Sequence, residues 1–141
     1  MRRFAQTFGA VGDSVVDFGS PVTVDDSAAF EVGSVAVTPK AEANVVLNAH
    51  ASLEKSTSAE GRYNVAIRSG DCDGETIAIG RWRGNENDQA SFEGVTVSVT
   101  GHDVTSTATT YVLCVEHGEG AGHPDISVNM RGITATWAPT S

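Results

Sequence analysis

Three places in this 141-residue chain gather side chains that could do chemistry. Asp71, Asp73 and Glu75 alternate around Gly74. Carboxylate oxygens crowded into a turn could ligate calcium, but a full calcium loop needs more ligands at set spacing. A tight hairpin wants Asp-Gly on conformational grounds alone, so the stretch reads as a turn. His117 and His123 flank a glycine-rich run, with Glu116, Glu119 and Asp125 nearby. Imidazole and carboxylate are zinc ligands, yet closed sites want four and no pair here has helical i, i+4 geometry, so this reads as a surface loop. Arg81-Trp82-Arg83 would lie near Arg62 and Tyr63 if their two strands pair. That group could form an aromatic platform for a sugar ring or a protein hot spot. The plainer alternative is a tryptophan at a sheet edge, shielded by arginine stems.

Other catalytic signatures are missing from the sequence. There is no Gly-x-Ser-x-Gly elbow, and Ser, His and Asp occur without a spacing that marks a triad. No carboxylate pair stands out for glycoside cleavage. His50 falls on a polar strand face and His102 in an expected turn, where solvation is the default. The sequence therefore reads as that of a protein that is not an enzyme, with no cofactor and no metal.

The elements that must carry these residues are strands. In Asn44–Glu54, Val45, Leu47, Ala49, Ala51 and Leu53 point one way, and Asn44, Asn48, His50, Ser52 and Glu54 the other. Successive strand side chains alternate faces, so this is a strand with one face on a core and one on water. Eight such segments are expected, at 28–32, 34–38, 44–54, 62–69, 76–83, 90–100, 108–117 and 126–137. Gly, Pro, Asn, Asp and Ser clusters punctuate them. Many short strands with no room for crossover helices imply an antiparallel β-sandwich. Three segments change parity at a glycine, Gly33, Gly94 and Gly132, each expected to mark a bulge or bend.

Residues 1–27 form an N-terminal arm that fits no strand or helix pattern, ahead of a sandwich domain over 28–141. The arm carries Phe4, Phe8 and Phe18 among Gly and Asp. It either folds over its own domain or docks its aromatics on a neighbour, adding a strand to an exposed edge.

Charge and composition narrow the partners. A formal charge of −9 argues against nucleic acid as a direct ligand, because phosphate binding needs a basic face. No apolar run approaches the roughly 18 residues of a membrane helix. Arg2 and Arg3 resemble the start of a signal peptide, but Gln6, Thr7, Gly9, Gly12 and Asp13 interrupt its apolar core, so synthesis in the cytoplasm is expected. The two cysteines, Cys72 and Cys114, could form a disulfide or remain thiols; the sequence leaves both open.

Cys72, Trp82 and Cys114 follow the order of an immunoglobulin domain, but Tyr111 stands three residues before the second cysteine, where the tyrosine corner needs two. The run from Asn44 to Trp137 resembles instead the small jelly-roll heads of bacteriophage fibres and of the tumour-necrosis-factor/C1q type. It shares their alternating strand, the Asp73-Gly74 turn, a strand led by Phe92, Thr110-Tyr111-Val112-Leu113, a glycine-rich loop and a final Ile133–Trp137. That resemblance implies a jelly roll and a trimeric, non-enzymatic surface module. The expectation is a virion surface protein of a tailed phage, a capsid decoration protein or a fibre or spike head. It would dock through Phe4, Phe8 and Phe18 onto a major capsid or tail protein. The alternative is a bacterial carbohydrate- or protein-binding module, or one that meets a host-surface glycan, through Tyr63, Arg81, Trp82 and Arg83.

Overall fold

The computed structural model describes residues 10–11, 21–85 and 94–140. Phe4, Phe8 and Phe18 lie outside the described residues. Among the described residues there are nine strands: β1 (Ala10–Val11), β2 (Val22–Val24), β3 (Phe30–Val37), β4 (Ala43–Lys55), β5 (Gly61–Ser69), β6 (Thr76–Gly84), β7 (Gly94–Thr105), β8 (Thr109–His117) and β9 (Ile126–Pro139).

The pairing explains the architecture. β2 pairs with β9, β3 with β8, β4 with β7 and β5 with β6, all antiparallel. These are four nested hairpins, one long ribbon rolled up so that β4 also meets β9 and β5 also meets β8. The result is a jelly-roll sandwich. Sheet A runs β1-β9-β4-β7 with β2 also on β9, and sheet B runs β3-β8-β5-β6. The core between them is what strand alternation dictates: Val45, Leu47, Ala49, Ala51 and Leu53 of β4 face Tyr63, Val65 and Ile67 of β5 and Tyr111, Leu113 and Val115 of β8, all buried. Fully burying one such Val, Leu or Ile contributes about 1.5–3 kcal/mol.

Several expectations need correcting. The first two expected segments are a single strand, β3, with a register shift between Glu31 and Gly33. Near Gly132 the shift lies earlier: Leu53 pairs with Val128 but Ala51 with Arg131, so the extra residue is in the Asn129–Met130 stretch. The change of parity expected at Gly94 starts from Ala90 and Phe92, which lie outside the described residues; from Gly94 onward the β4–β7 register is unbroken. His102 sits within β7, not in a turn. Two parts of the arm are strands on this chain's own β9, because Val22-Thr23-Val24 alternates and Val24 completes the core.

One buried side chain ties the two bulges together. Arg131 donates from Nε to the Val32 carbonyl at 3.2 Å, and from Nη1 to Asn129 and Val128 carbonyls at 3.1 and 3.5 Å. Bulges break the ladder and free backbone carbonyls. Here one guanidinium serves carbonyls beside both irregularities. Lys55 plays a similar part at the end of β4, where it keeps the inward parity. Its stem is buried while Nζ donates to the carbonyls of Ala59 (2.8 Å) and Asn85 (2.7 Å).

The sandwich is pinched along β6 and β7. A Cβ on Gly80 would come within 2.9 and 3.1 Å of the methyls of Val97 and Val99, and one on Gly101 within 3.1 and 3.2 Å of Ile77 and Ala78. Missing side chains on facing strands let the two sheet edges close.

Candidate functional site

β5 and β6 place the Arg-Trp-Arg cluster. Their register sets Arg62 against Arg83, Tyr63 against Trp82 and Asn64 against Arg81. Alternation then divides the cluster. Tyr63 and Trp82 turn toward the core, while the three arginines and Asn64 turn to the outer face of sheet B. Together with Gly118 and Glu119 these residues line an open cleft of about 490 Å³.

The floor of the cleft is rigid. Tyr63 is 1% exposed, and its hydroxyl donates to the Pro124 carbonyl at 2.6 Å. Its ring stacks on Trp82 with centroids 5.5 Å apart and meets His117 edge-on at 5.3 Å. Burial, with Asp125 adding, pushes the Tyr63 phenol well above its ordinary range, so it stays a donor. Gly61 is required here, since a Cβ there would collide with the Tyr63 ring and hydroxyl. Tyr63 therefore cannot offer a face to a ligand, and the exposed aromatic platform is reduced to a half-buried Trp82.

The cationic side is the accessible one. Glu60 sits between Arg62 (3.7 Å) and Arg83 (3.0 Å). Arg81 is exposed and has no ion pair among the described residues. The glycine-rich loop is fixed beside them by the Gly118 N–H, which donates to the Arg62 carbonyl at 2.6 Å.

The two other candidates are held by local bonds. His117 Nε2–H donates to the Val24 carbonyl at 3.1 Å and so pins β2 to β8, while His123 Nε2–H donates to Glu119 O at 2.7 Å. Glu116 accepts from Arg68 at 2.9 Å. In the acidic turn the Asp71 side chain accepts from the Asp73 N–H, and its carbonyl from the Gly74 N–H, both at 2.9 Å. Among the described residues no three His, Cys, Asp or Glu side chains converge as metal ligands.

That turn is more than a hairpin tip. Cys72 and Cys114 form a disulfide with Cα atoms 5.8 Å apart. Cys114 lies mid-strand in β8, so the bond folds the 70–75 loop back over the outer face of sheet B. Arg68 Nη1 also donates to the Gly74 carbonyl at 3.5 Å. Ala66, Val112 and Cys114 have outward parity and are nonetheless buried.

The outer face of sheet A is different. Register brings Val46 beside His102 and Thr136, Asn48 beside Thr100 and Thr134, and His50 beside Ser98 and Gly132. Hydroxyls and amides bond one another across the strands, as in Ser52–Thr96 (2.9 Å) and Thr100 to Asn48 (3.1 Å). A shallow hollow of about 340 Å³ opens over Gly132. From Asn44 to Ser52 and across to these partners the face carries no Lys, Arg, Asp or Glu, and Val46 and Val104 stand 43% and 48% exposed on it. Sequence alternation identified the β4 residues as outward; the adjacency of β9, β4 and β7 shows them as part of one patch.

No family model and no curated protein matches this sequence. Among solved structures the chain is similar to the Eiger TNF of S. frugiperda, with 11% identity, 96% of each chain covered and a TM-score of 0.59. It is also matched to the globular domain of zebrafish complement 1qA, at 14% identity over 92% of this chain and 96% of that one, with a TM-score of 0.45. A CocE/NonD family hydrolase from Staphylococcus aureus is matched at 13% identity and a TM-score of 0.41, and the match spans 35% of that chain. The first of these likenesses shows a shared fold, the jelly roll of TNF-type domains, reached without shared sequence.

Proposed function

We propose that this chain is a non-catalytic, self-associating display module whose copies meet through the outer face of sheet A. The observation that carries the reading is the uncharged patch around Val46, Asn48 and Thr134 on a chain of net charge −9. Acidic copies repel one another wherever their charges face. They approach most easily where there are none, and interface cores are likewise depleted of charged residues. The TNF-type fold supports a trimer as the stoichiometry. Sedimentation of the full chain tests this. A trimer should fall to monomer in Val46→Asp/Thr134→Asp, and a wild-type chain that is monomeric at its highest soluble concentration ends the reading.

The same reading places the module on a virion, as a capsid decoration protein or a fibre or spike head of a tailed phage. What supports it is the arm with Phe4, Phe8 and Phe18, which could anchor on a major capsid or tail protein. Truncation at residue 26 would also remove β2 and the core residue Val24. The cleaner test is Phe4→Ser/Phe8→Ser/Phe18→Ser, which should abolish particle binding and leave the melting temperature unchanged. Undiminished binding by that variant rules out the arm mechanism.

A further inference from the structure

The cleft on the outer face of sheet B is unused by self-association through sheet A, and it stays open when sheet A is covered. The geometry points to a saccharide bearing a single carboxylate, such as a uronic or sialic acid residue, as its ligand. Arg81 is an exposed guanidinium without an ion pair among the described residues, and a planar guanidinium matches a carboxylate with two parallel N–H donors. Arg83 is oriented by Glu60, which engages only part of its five donors, and Arg62 lies 3.7 Å from the same carboxylate. Asn64 and Glu119 supply the donor and acceptor groups that sugar hydroxyls need.

Charge and size choose among anions. Glu60 and Glu119 offset two of the three arginines, so the cleft matches one negative charge and not a polyanion. A nucleic acid or an acidic peptide would also face the net −9 of the chain. The volume of about 490 Å³ falls within the ~300–1,000 Å³ of small-ligand sites. The carboxylate lies on Arg81 in this assignment, and the hydroxyls on Asn64 and Glu119.

Amide-shift titration of the ¹⁵N-labelled full chain tests the assignment, with glucuronic acid and N-acetylneuraminic acid as probes. Glucose, sodium sulfate and a glutamate-rich peptide are the comparisons. Carboxylated sugars should move the amides of Arg62, Arg81, Arg83 and Gly118, and Arg81→Gln should weaken binding at least about tenfold, the loss expected for a charge-assisted hydrogen bond. Its melting temperature should not change, and Arg81→Lys should restore only part of the affinity. Four results overturn the proposal: silence with every carboxylated sugar, equal binding of glucose, sulfate binding as tightly as the sugars, or tighter binding of the peptide. The Val46→Asp/Thr134→Asp variant should titrate like the wild-type chain, so failure of self-association and failure of the cleft are told apart.

Discussion

The inner faces of the two sheets are alike, valine-rich and buried, but their outer faces have almost nothing in common. Sheet B is finished: a disulfide tethers the 70–75 loop to Cys114, Ala66 and Val112 beside it are buried, an Arg68–Glu116 ion pair edges the face, and arginines occupy what is left. Sheet A is bare, a field of Thr, Ser, Asn and His with two exposed valines. A solvated strand face does not have to be uncharged. Glu, Lys and Arg are all available to this chain, and it spends them elsewhere. The contrast separates a face completed within one chain from a face left to be completed by another.

The largest expected effect breaks the finished face. Cys72→Ser/Cys114→Ser opens a covalent link spanning 42 residues of sequence. The chain-entropy model puts the loss at about 4 kcal/mol. Denaturant unfolding of the variant against the oxidised protein should show that loss with little change in oligomer mass. An unchanged midpoint would mean that the loop does not help to hold sheet B.

The seam that joins the faces comes next. Gly80→Ala puts a methyl 2.9 Å from Val97 Cγ1, and overpacking of that kind costs about 2 kcal/mol. The control is Gly33→Ala, where the added Cβ lies 3.6 Å from Ile133, an ordinary contact. Thermal melts should separate the two, Gly80→Ala falling and Gly33→Ala staying near the wild-type midpoint.

This pair of glycines shows what the sequence could and could not convey. The parity change at Gly33 was legible because it is local, and the register shift is there. The need for Gly80 was not, because it comes from Val97 and Val99 on a strand in the other sheet. The alternation of β4 was readable residue by residue, except that Lys55 continues inward, which only the positions of the Ala59 and Asn85 carbonyls explain. The sequence leaves the Cys72–Cys114 bond open because pairing depends on the loop folding back, a tertiary event. The Arg-Trp-Arg cluster was found from its residue types, but strand alternation sends its aromatics inward and its arginines outward.

A smaller loss is expected at the edge of the finished face. Arg68→Ala removes the 2.9 Å ion pair with Glu116 and the bond to the Gly74 carbonyl. Both side chains are partly buried, so the cost is about 1 kcal/mol, near the upper end for ion pairs that water still reaches. Chemical denaturation should detect it. A double-mutant cycle with Glu116→Ala would assign the pair's share.

The smallest effect on stability, and the sharpest test of the contrast, is a charge placed on the bare face. Val46 is 43% exposed, so Val46→Lys and Val46→Asp should each change the unfolding free energy of the monomer by no more than about 0.5 kcal/mol. Association should respond very differently. If sheet A meets another copy of itself, either sign of charge is buried without a partner, and both variants dissociate the assembly. A foreign basic partner would be repelled by Val46→Lys and strengthened by Val46→Asp. A foreign acidic one would reverse that order. Sedimentation of the two variants side by side therefore reports the sign dependence directly, and only loss with both signs is consistent with a face completed by a second copy of this chain.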